Sequence, residues 1–469
     1  MRRLKLAVAA VALMAALAPA VGPTRAATGE VLGHTGRWIT DTSGRVVVLH
    51  GVNKGAKNAP YDLVTGFSDT DVAFLADHGF NALRLGVEHD GLEPHPGVYN
   101  DAYVAEIVSV VRRLVAHGIK PLIDFHQDEY GPAEGGNGIA RWATIDDGLP
   151  RQPRCGFGCN QLVQPGMNAA WGHFWNNDHL PGDALGLQDH VARAAAHLAT
   201  ALHGIGGLLG YEFINEPWPG FVWPTCALPV GCPLFERGPL DAFNNRMAAA
   251  IRTADPAHLI FYEPQSIFND GVPTFAGPLV DPAHESGFAF HVYCLLGGAD
   301  MPAERPGGAQ LCPTLEQRTL DNAISQVNRT GEALLMTEFG ATVAPRPVRQ
   351  ITDGADRRMV SWLWWEYTEA FRPNLGLLVR PYPRAVAGTP VRWSFNPDTK
   401  VFDLAFSTRA VGVRLTSDRT EIFVPRLQYP HGFVLTVAGA TVVANHDQLL
   451  ELATHAGAGT VTVRITPSG

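Results

Sequence analysis

Two glutamates of this 469-residue chain each follow an apolar run of the kind that forms a buried strand. Glu216 lies in FINEP, directly after Asn215, and Glu338 lies in LLMTEFG. A single glutamate after a strand is usually a surface residue, whereas two in this setting indicate a reacting pair. One carboxyl could protonate a leaving oxygen while the other, ionised, attacks the carbon that the oxygen leaves. Two carboxyls about 5–5.5 Å apart cleave a glycosidic bond with retention of configuration.

Polar residues at the ends of neighbouring apolar runs are candidates to line the same cleft. Arg84 and Tyr293 could hold Glu338 ionised, through charge and a hydroxyl bond. Asn215 could bond a sugar 2-hydroxyl, and Trp365 offers an apolar face to a sugar ring. The remaining candidates are His126, Asp128, Glu263 and His291. For Arg84 and His126 the alternative is a purely structural role in buried hydrogen bonds.

The elements that must position these residues are eight strand-like apolar runs with helices between them. The runs are 46–53, 82–87, 121–127, 208–217, 259–264, 287–293, 333–340 and 361–367. Most are continuously apolar, as in parallel strands buried on both faces. Segment 101–118 keeps apolar residues at helical spacing, and Ser68 offers an N-cap to another helix. Eight alternations of strand and helix predict an α/β fold, a (β/α)8 TIM barrel. The alternative, an open doubly wound sheet, would open with a glycine-rich fingerprint that is missing after the first run.

After about residue 380 the pattern changes to short β-branched segments broken by turn residues. This pattern predicts a C-terminal antiparallel β-sandwich. We therefore expect a barrel domain over 27–380 and a sandwich domain over 381–469, with the junction at 382–390.

The first 26 residues are predicted to be a secretory signal peptide. Arg2, Arg3 and Lys5 precede a short apolar run, and small residues then suit cleavage before Ala27. A membrane anchor is the alternative, but the run is short against the ~20 residues that span a bilayer. The expected location is extracellular.

Composition and charge exclude some classes of partner. The chain is 46% hydrophobic and 17% charged, which is typical of a core-forming protein, and its formal net charge is −9. Without a basic run after the N-terminus, nucleic acid is not an expected partner. We expect a monomer.

The six cysteines fall into three close pairs, Cys155/Cys159, Cys226/Cys232 and Cys294/Cys312. In an exported protein, disulfide bonds between near neighbours would cross-link three loops, each within itself. A metal site is the alternative, but no histidine lies at a ligand spacing beside them. We expect no metal and no organic cofactor.

Several motifs together resemble glycoside hydrolase family 5, and within it the secreted actinobacterial endoglycoceramidases. The matching segments are GVNKGAKNAPY, DFHQDEYG, INEPW, HVY, TEFG and WLWWEY. The resemblance covers nearly the whole chain after the signal peptide. It implies a glycosphingolipid substrate, cleaved between oligosaccharide and ceramide. Transient contact with a membrane or micelle surface is expected from the apolar loops 217–224 and 371–379.

The resemblance also implies roles for individual residues. Glu216 matches the acid/base and Glu338 the nucleophile, while His126 matches the barrel histidine of the clan. The positions that match residues holding the sugar nearest the scissile bond are Lys57, Asp128, Asn215, Tyr293 and Trp365. Lys54 competes with Lys57 for the lysine role, and Lys57 is favoured because it precedes Pro60 and Tyr61. Either Trp171 or Trp175 matches a sugar-binding tryptophan of the family.

Two other functions remain open at this point. One is a family 5 endo-β-1,4-glucanase or mannanase that acts on a polysaccharide. The other is a non-catalytic glycan-binding protein, which the two intact carboxylates disfavour. The apolar loops 217–224 and 371–379 follow the fourth and eighth runs and favour a lipid aglycone or a membrane surface. The alternative is that these loops pack on each other and on the sandwich.

Overall fold

The computed structural model describes residues 30–294, 308–369, 372–412 and 414–468. The signal peptide predicted over 1–26 lies outside these residues. Three short strands come first, β1 (Gly33–Thr35), β2 (Trp38–Thr40) and β3 (Val46–Val47). The barrel strands follow as β4 (His50–Gly55), β5 (Ala82–Glu88), β6 (Lys120–His126), β7 (Gly210–Glu212), β8 (Leu259–Tyr262), β9 (Ser286–Val292), β10 (Ala333–Phe339) and β11 (Trp362–Trp364).

The eight strands β4 to β11 form a closed parallel barrel in chain order, with β11 pairing back to β4. The predicted (β/α)8 barrel is thus confirmed. Every residue of β5, β9 and β10 is buried, as the continuous apolar runs indicated. Some strands are shorter than predicted. In particular, β7 ends at Glu212, so Glu216 lies beyond the ladder and not within it.

Helices cover the barrel and connect its strands. They are α1 (Asp69–Asp77), α2 (His89–Leu92), α3 (Asp101–Ala116), α4 (Cys159–Val163), α5 (Pro165–Asn176), α6 (Leu187–Leu202), α7 (Trp223–Cys226), α8 (Pro233–Phe235), α9 (Asp241–Ala254), α10 (Gly308–Thr330) and α11 (Pro345–Arg358). Ser68 caps α1 as expected, in a capping box with Asp71. The apolar face expected of α3 is buried at Val104, Ile107 and Leu114.

The barrel interior has an apolar layer below a charged one. One buried cluster receives a residue from each of the eight strands or from the residues just before them. These residues are Leu49, Ala82, Leu122, Leu209, Leu259, Ala289, Leu335 and Leu363. Side chains alternate along a strand, so positions two residues further on share the inward face. Those positions hold Arg84 on β5, Asp124 on β6 and His291 on β9. The alternation therefore places polar groups above the apolar layer, toward the carboxyl ends of the strands.

The remaining strands form two antiparallel sheets. They are β12 (Tyr382–Val386), β13 (Thr389–Asn396), β14 (Val401–Ser407), β15 (Arg419–Phe423), β16 (Phe433–Ala438), β17 (Ala440–His446), β18 (Leu449–Thr454) and β19 (Thr460–Pro467). One sheet has the order β13-β14-β19-β16 and the other β1-β2-β3-β12-β15-β18-β17. Because β3 pairs with β12, the first strands of the chain are part of a sheet built otherwise from C-terminal residues.

Three disulfide bonds cross-link loops of the barrel domain. They join Cys155 to Cys159, Cys226 to Cys232 and Cys294 to Cys312, which confirms the predicted near-neighbour pairing. Across the part of the chain that the structure describes, we find no helix with both the length and the apolar character needed to cross a bilayer.

Candidate active site

A fully buried arginine, Arg84 of β5, organises the floor of the cleft. Its guanidinium contacts six side chains, which come from five other strands or strand ends. The partners are Asn53 (3.2 Å), Asp124 (3.0 Å), Glu212 (2.6 Å), Asn215 (2.9 Å), Glu263 (3.1 Å) and Glu338. Burial lowers the pKa of Arg84, but the surrounding carboxylates outweigh it and raise that pKa well above its usual value. Arg84 is therefore a fixed positive charge around which the carboxylates gather.

Glu338, on β10, receives hydrogen bonds on both carboxylate oxygens. Arg84 donates to Oε1, and the Tyr293 hydroxyl donates to Oε2 at 2.9 Å. Burial, together with the charges of Glu338 and Glu216, raises the pKa of Tyr293 well above its usual value, so the phenol keeps its proton. Both donors expected from the sequence thus contact this carboxylate.

Glu216 faces Glu338 across the cleft. Its Oε1 accepts a hydrogen bond from Asn269 Nδ2 at 2.7 Å and lies 2.8 Å from Nδ1 of His291. That histidine nitrogen is also 3.5 Å from Oε2 of Glu338. A carboxylate oxygen of Glu216 and one of Glu338 lie within 4.8 Å of each other. This separation suits a nucleophile and an acid/base acting on one anomeric carbon.

A second polar cluster lies beside the carboxylate pair. Lys57 Nζ is 2.5 Å from Asp128, and Asn137 donates to the same carboxylate at 2.9 Å. The indole of Trp365 stacks on the His126 ring at 5.2 Å, and Lys57 Nζ lies 4.2 Å from the indole centroid. These groups offer charged donors and acceptors beside an aromatic face, as a sugar ring requires.

The charges of this second cluster stabilise one another. Burial raises the pKa of Asp128, but Lys57 and His126 outweigh it and hold that pKa far below its usual range. Burial and Lys57 lower the pKa of His126, whereas Asp124 and Asp128 raise it to about 10. Asp128 is therefore an anion and His126 a cation at neutral pH.

Comparison with known proteins shows to which enzyme family the chain belongs. A family model described as cellulase (glycosyl hydrolase family 5) matches residues 64–371, and one described as the glycoside hydrolase family 5 C-terminal domain matches 380–466. The chain belongs to glycoside hydrolase family 5. As a family 5 member it is an enzyme that acts on O-glycosyl bonds, and its relatives fit that assignment. It is 35% identical to endoglycoceramidase I of Rhodococcus hoagii, over 92% of this chain and 88% of the relative.

Two solved structures of one further enzyme are similar over nearly the whole fold. Both are of endo-glycoceramidase II from Rhodococcus sp., one described as its ganglioside GM3 complex and the other as its lactosyl-enzyme intermediate. The first aligns with a TM-score of 0.78 at 28% identity, covering 92% of this chain and 99% of that one. The second has a TM-score of 0.76 at 28% identity, with coverage of 92% and 100%.

The sequence left two choices open in this family 5 chain, between Lys57 and Lys54 and between Trp171 and Trp175. The structure bears on each of them. Lys57 contacts Asp128, whereas Lys54 lies on β4 and is half-buried. Trp171 and Trp175 are both buried and stack on each other at 5.3 Å. Packing in the core thus accounts for both tryptophans, and neither offers an open face to a sugar.

The structure adds site contacts from residues that were not among the predicted ones. They are Asp124, which lies 2.7 Å from His126, and Asn53, Gln127, Asn137, Glu212 and Asn269. Asp124 could have been found, because it lies two residues before His126 and shares its strand face. Asn269 lies in a 3-10 helix (Ser266–Asp270) in the connection after β8, and no periodic pattern of the sequence marks it.

Two groups of residues in the described ranges have a geometry that could hold a metal ion. They are Glu212, Glu263 and His291, and Glu216, His291 and Glu338. Arg84 already binds Glu212, Glu263 and Glu338, so the protein itself places a cation among these carboxyl groups.

We expect activity to survive dialysis against EDTA without loss. The two carboxyls supply acid, base and nucleophile from the protein alone. The measurement is hydrolysis rate before and after chelation, with thermal unfolding followed in parallel to detect a stabilising ion elsewhere. Activity that disappears while the fold persists, and returns with added metal, would contradict the expectation.

Proposed function

We propose that this enzyme is a retaining endo-glycosidase that hydrolyses the β-glycosidic bond between oligosaccharide and ceramide in glycosphingolipids. The observation that carries the proposal is the approach of Glu216 and Glu338 to within 4.8 Å, at the carboxyl end of a family 5 barrel. The relatives named endoglycoceramidase, one of them solved as a ganglioside GM3 complex, support the substrate class.

In the first step, Glu338 attacks the anomeric carbon and forms a glycosyl ester. The bond from that carbon to the ceramide oxygen breaks, and Glu216 gives its proton to the departing oxygen. In the second step, Glu216 takes a proton from water, the hydroxyl attacks the same carbon and Glu338 is released. Asn269 and His291 hold the Glu216 carboxyl throughout, while Arg84 and Tyr293 hold that of Glu338.

The second polar cluster would hold the sugar at the reacting bond. Lys57 and Asp128 form a pair with hydrogen-bonding capacity left for hydroxyls, and Trp365 provides a face for the ring. Arg84 holds Asn215 Oδ1, and Asn215 Nδ2 donates to the Gln127 carbonyl at 2.9 Å. Asn215 is thus fixed beside Glu216, where it can meet the sugar 2-hydroxyl.

One of the two apolar loops exposes a surface suited to the ceramide or to a membrane. We define the apolar loop as 217–234, which begins directly after Glu216. Phe221 and Leu234 of this loop are 58% and 91% exposed. The described part of the other loop, 372–379, differs, because Leu375, Leu378 and Val379 are buried and fit the packing alternative, while Leu377 is 39% exposed. We assign contact with lipid to the apolar loop alone.

Replacing Phe221 and Leu234 together with serine should weaken action on micellar ganglioside about 10-fold or more, since burying one such side chain is worth about 1.5–3 kcal/mol. Action on a short aryl glycoside should stay within about twofold, because that substrate has no lipid to bind. The measurement is kcat/KM on both substrates. Trp223 is a poorer choice, because it packs against Trp218.

The matched control for the apolar loop is Val434→Ser. Val434 lies on β16 of the sandwich and is 56% exposed, close to the value for Phe221. It should leave both substrates unaffected. Equal losses on both substrates in the loop variant would assign the loop a structural role and reject the lipid contact.

One pair of assays separates the proposal from the polysaccharide alternative. The protein is incubated with a ganglioside and, separately, with carboxymethylcellulose, and free oligosaccharide is measured. We expect release from the ganglioside only. Cleavage of the cellulose derivative alone would reject the glycolipid assignment while leaving the retaining mechanism in place.

We further propose that the protein is secreted as a monomer after removal of residues 1–26. The three disulfides support export, because such bonds persist in oxidising compartments. Mass spectrometry of the exported protein should give a chain that begins near Ala27. A chain that retains Met1 would contradict cleavage.

A further inference from the structure

The backbone of Glu216 has an unusual conformation for a residue with a side chain. Its φ is +43°, in the left-handed region that glycine adopts freely and other residues adopt only when their surroundings compensate. A non-glycine residue in this region at a reactive position requires specific contacts to hold it. The contacts around residues 215–217 show which side chains provide them.

Two side chains bind the main chain of Glu216, one at its N–H and the other at its carbonyl. Glu263 Oε2 accepts a hydrogen bond from the Glu216 N–H at 3.1 Å. Gln127 Nε2 donates to the Glu216 carbonyl at 3.1 Å and to the Asn215 carbonyl at 2.7 Å. The main-chain polar groups of Glu216 are therefore held by side chains from two other strand ends.

Glu263 also reaches the side chain of Glu216, through His291. Its second oxygen, Oε1, lies 3.4 Å from His291 Nε2, and the other nitrogen of that ring lies 2.8 Å from Glu216 Oε1. The same Glu263 oxygen accepts from Arg84 Nη2 at 3.1 Å. One buried carboxyl thus contacts the Glu216 main chain, the histidine on its carboxylate and the arginine shared with Glu338.

We propose that Glu263 is a positioning residue for the general acid/base, holding the main chain of Glu216 and the ring of His291 in the geometry that delivers the proton. The inference rests on the proposed role of Glu216. A simpler role as one more counter-ion of Arg84 leaves the bond to the Glu216 N–H unexplained, because that bond contributes nothing to the charge of Arg84.

The test uses dependence on the leaving group. A departing alkyl alcohol needs the proton from Glu216, whereas a dinitrophenolate departs without it. Glu263→Gln has the same shape but only one acceptor oxygen to face the Glu216 N–H, Arg84 and His291. Since a misplacement of about 1 Å can cost 10²-fold, we expect kcat/KM on an alkyl lactoside to fall about 100-fold. The fall on 2,4-dinitrophenyl lactoside should be less than about fivefold, because only Glu338 is needed there.

Glu212→Gln is the matched control. Glu212 is a buried carboxylate that contacts Arg84 as Glu263 does, but its other partner is Thr337, at 2.9 Å, on the strand of Glu338. Its replacement should lower both rates by similar factors. If Glu263→Gln also lowers both rates equally, the positioning role is rejected and Glu263 is a counter-ion.

Two further variants cover the cases in which Glu216 has another role or Glu263→Gln does not fold. Glu216→Ala must itself show the leaving-group dependence; if it does not, the proposed function of Glu216 fails before Glu263 is judged. Glu263→Asp keeps a carboxyl opposite Arg84 and shortens the side chain by one carbon. If Glu263→Gln does not fold, this variant should show the same selective loss on the alkyl substrate, and equal losses would reject the proposal.

Discussion

Replacing Glu338 with serine is expected to lower hydrolysis of every substrate by roughly 10⁴-fold or more, comparable to the loss of other covalent nucleophiles. Serine is too short to reach the anomeric carbon, and it leaves Arg84 and Tyr293 without the carboxylate that they hold. Without the glycosyl ester, neither a good nor a poor leaving group can be displaced by the retaining route. The measurement is kcat/KM on a ganglioside and on 2,4-dinitrophenyl lactoside.

Covalent labelling provides the control for this result. A 2-deoxy-2-fluoro glycoside with a dinitrophenyl leaving group should leave one sugar on the peptide that contains Glu338, detected by mass spectrometry. Glu216→Ala should still be labelled, because that leaving group needs no proton, whereas Glu338→Ser should not. A sugar found on any other residue would reject Glu338 as the nucleophile.

Replacing Arg84 with methionine should cost about 3–5 kcal/mol of unfolding free energy or more, the usual cost of removing one partner from a buried ion pair. Arg84 is fully buried and binds Asp124, Glu212, Glu263 and Glu338. The variant would leave these carboxylates buried without their shared cation. The measurement is urea unfolding at several pH values.

The loss should depend on pH. Burial raises the pKa of Asp124, but Arg84 and His126 outweigh it, and the net pKa is lower than usual. Ionised Asp124 therefore adds to the unfolding free energy above pH ~4, the ordinary pKa of a carboxyl. This contribution is lost as pH falls through the lowered pKa of Asp124. Without Arg84, burial would raise the carboxyl pKa values, and stability would instead fall as pH rises above about 4.

The deficit of the Arg84→Met variant should therefore be larger at pH 8 than at pH 5. Arg392→Met, at an exposed position of the sandwich, is the control and should stay within about 0.5 kcal/mol at both pH values. A deficit for Arg84→Met that is independent of pH would show that lost packing, and not the unpaired carboxylates, is its cause.

Residues with strong local signals were predictable from the sequence. The eight runs are continuously apolar because parallel strands in a barrel are buried on both faces. Glu216 and Glu338 stand out because each breaks the apolar pattern where a run ends. The disulfides were predictable because each pair closes a small loop, such as Cys155 to Cys159. Each of these features depends on residues close together in the chain.

The tertiary structure alone decided which polar groups meet and which apolar groups are exposed. Arg84 binds Glu338 across 254 positions of sequence, and Asn269 reaches Glu216 from a short helix with no strand pattern. The apolar loops 217–224 and 371–379 both follow a barrel strand in the sequence, yet Phe221 of the first is exposed whereas Leu375, Leu378 and Val379 of the second are buried. The reason is physical: periodicity reports which face of an element is buried, whereas barrel closure determines which distant elements share that interior.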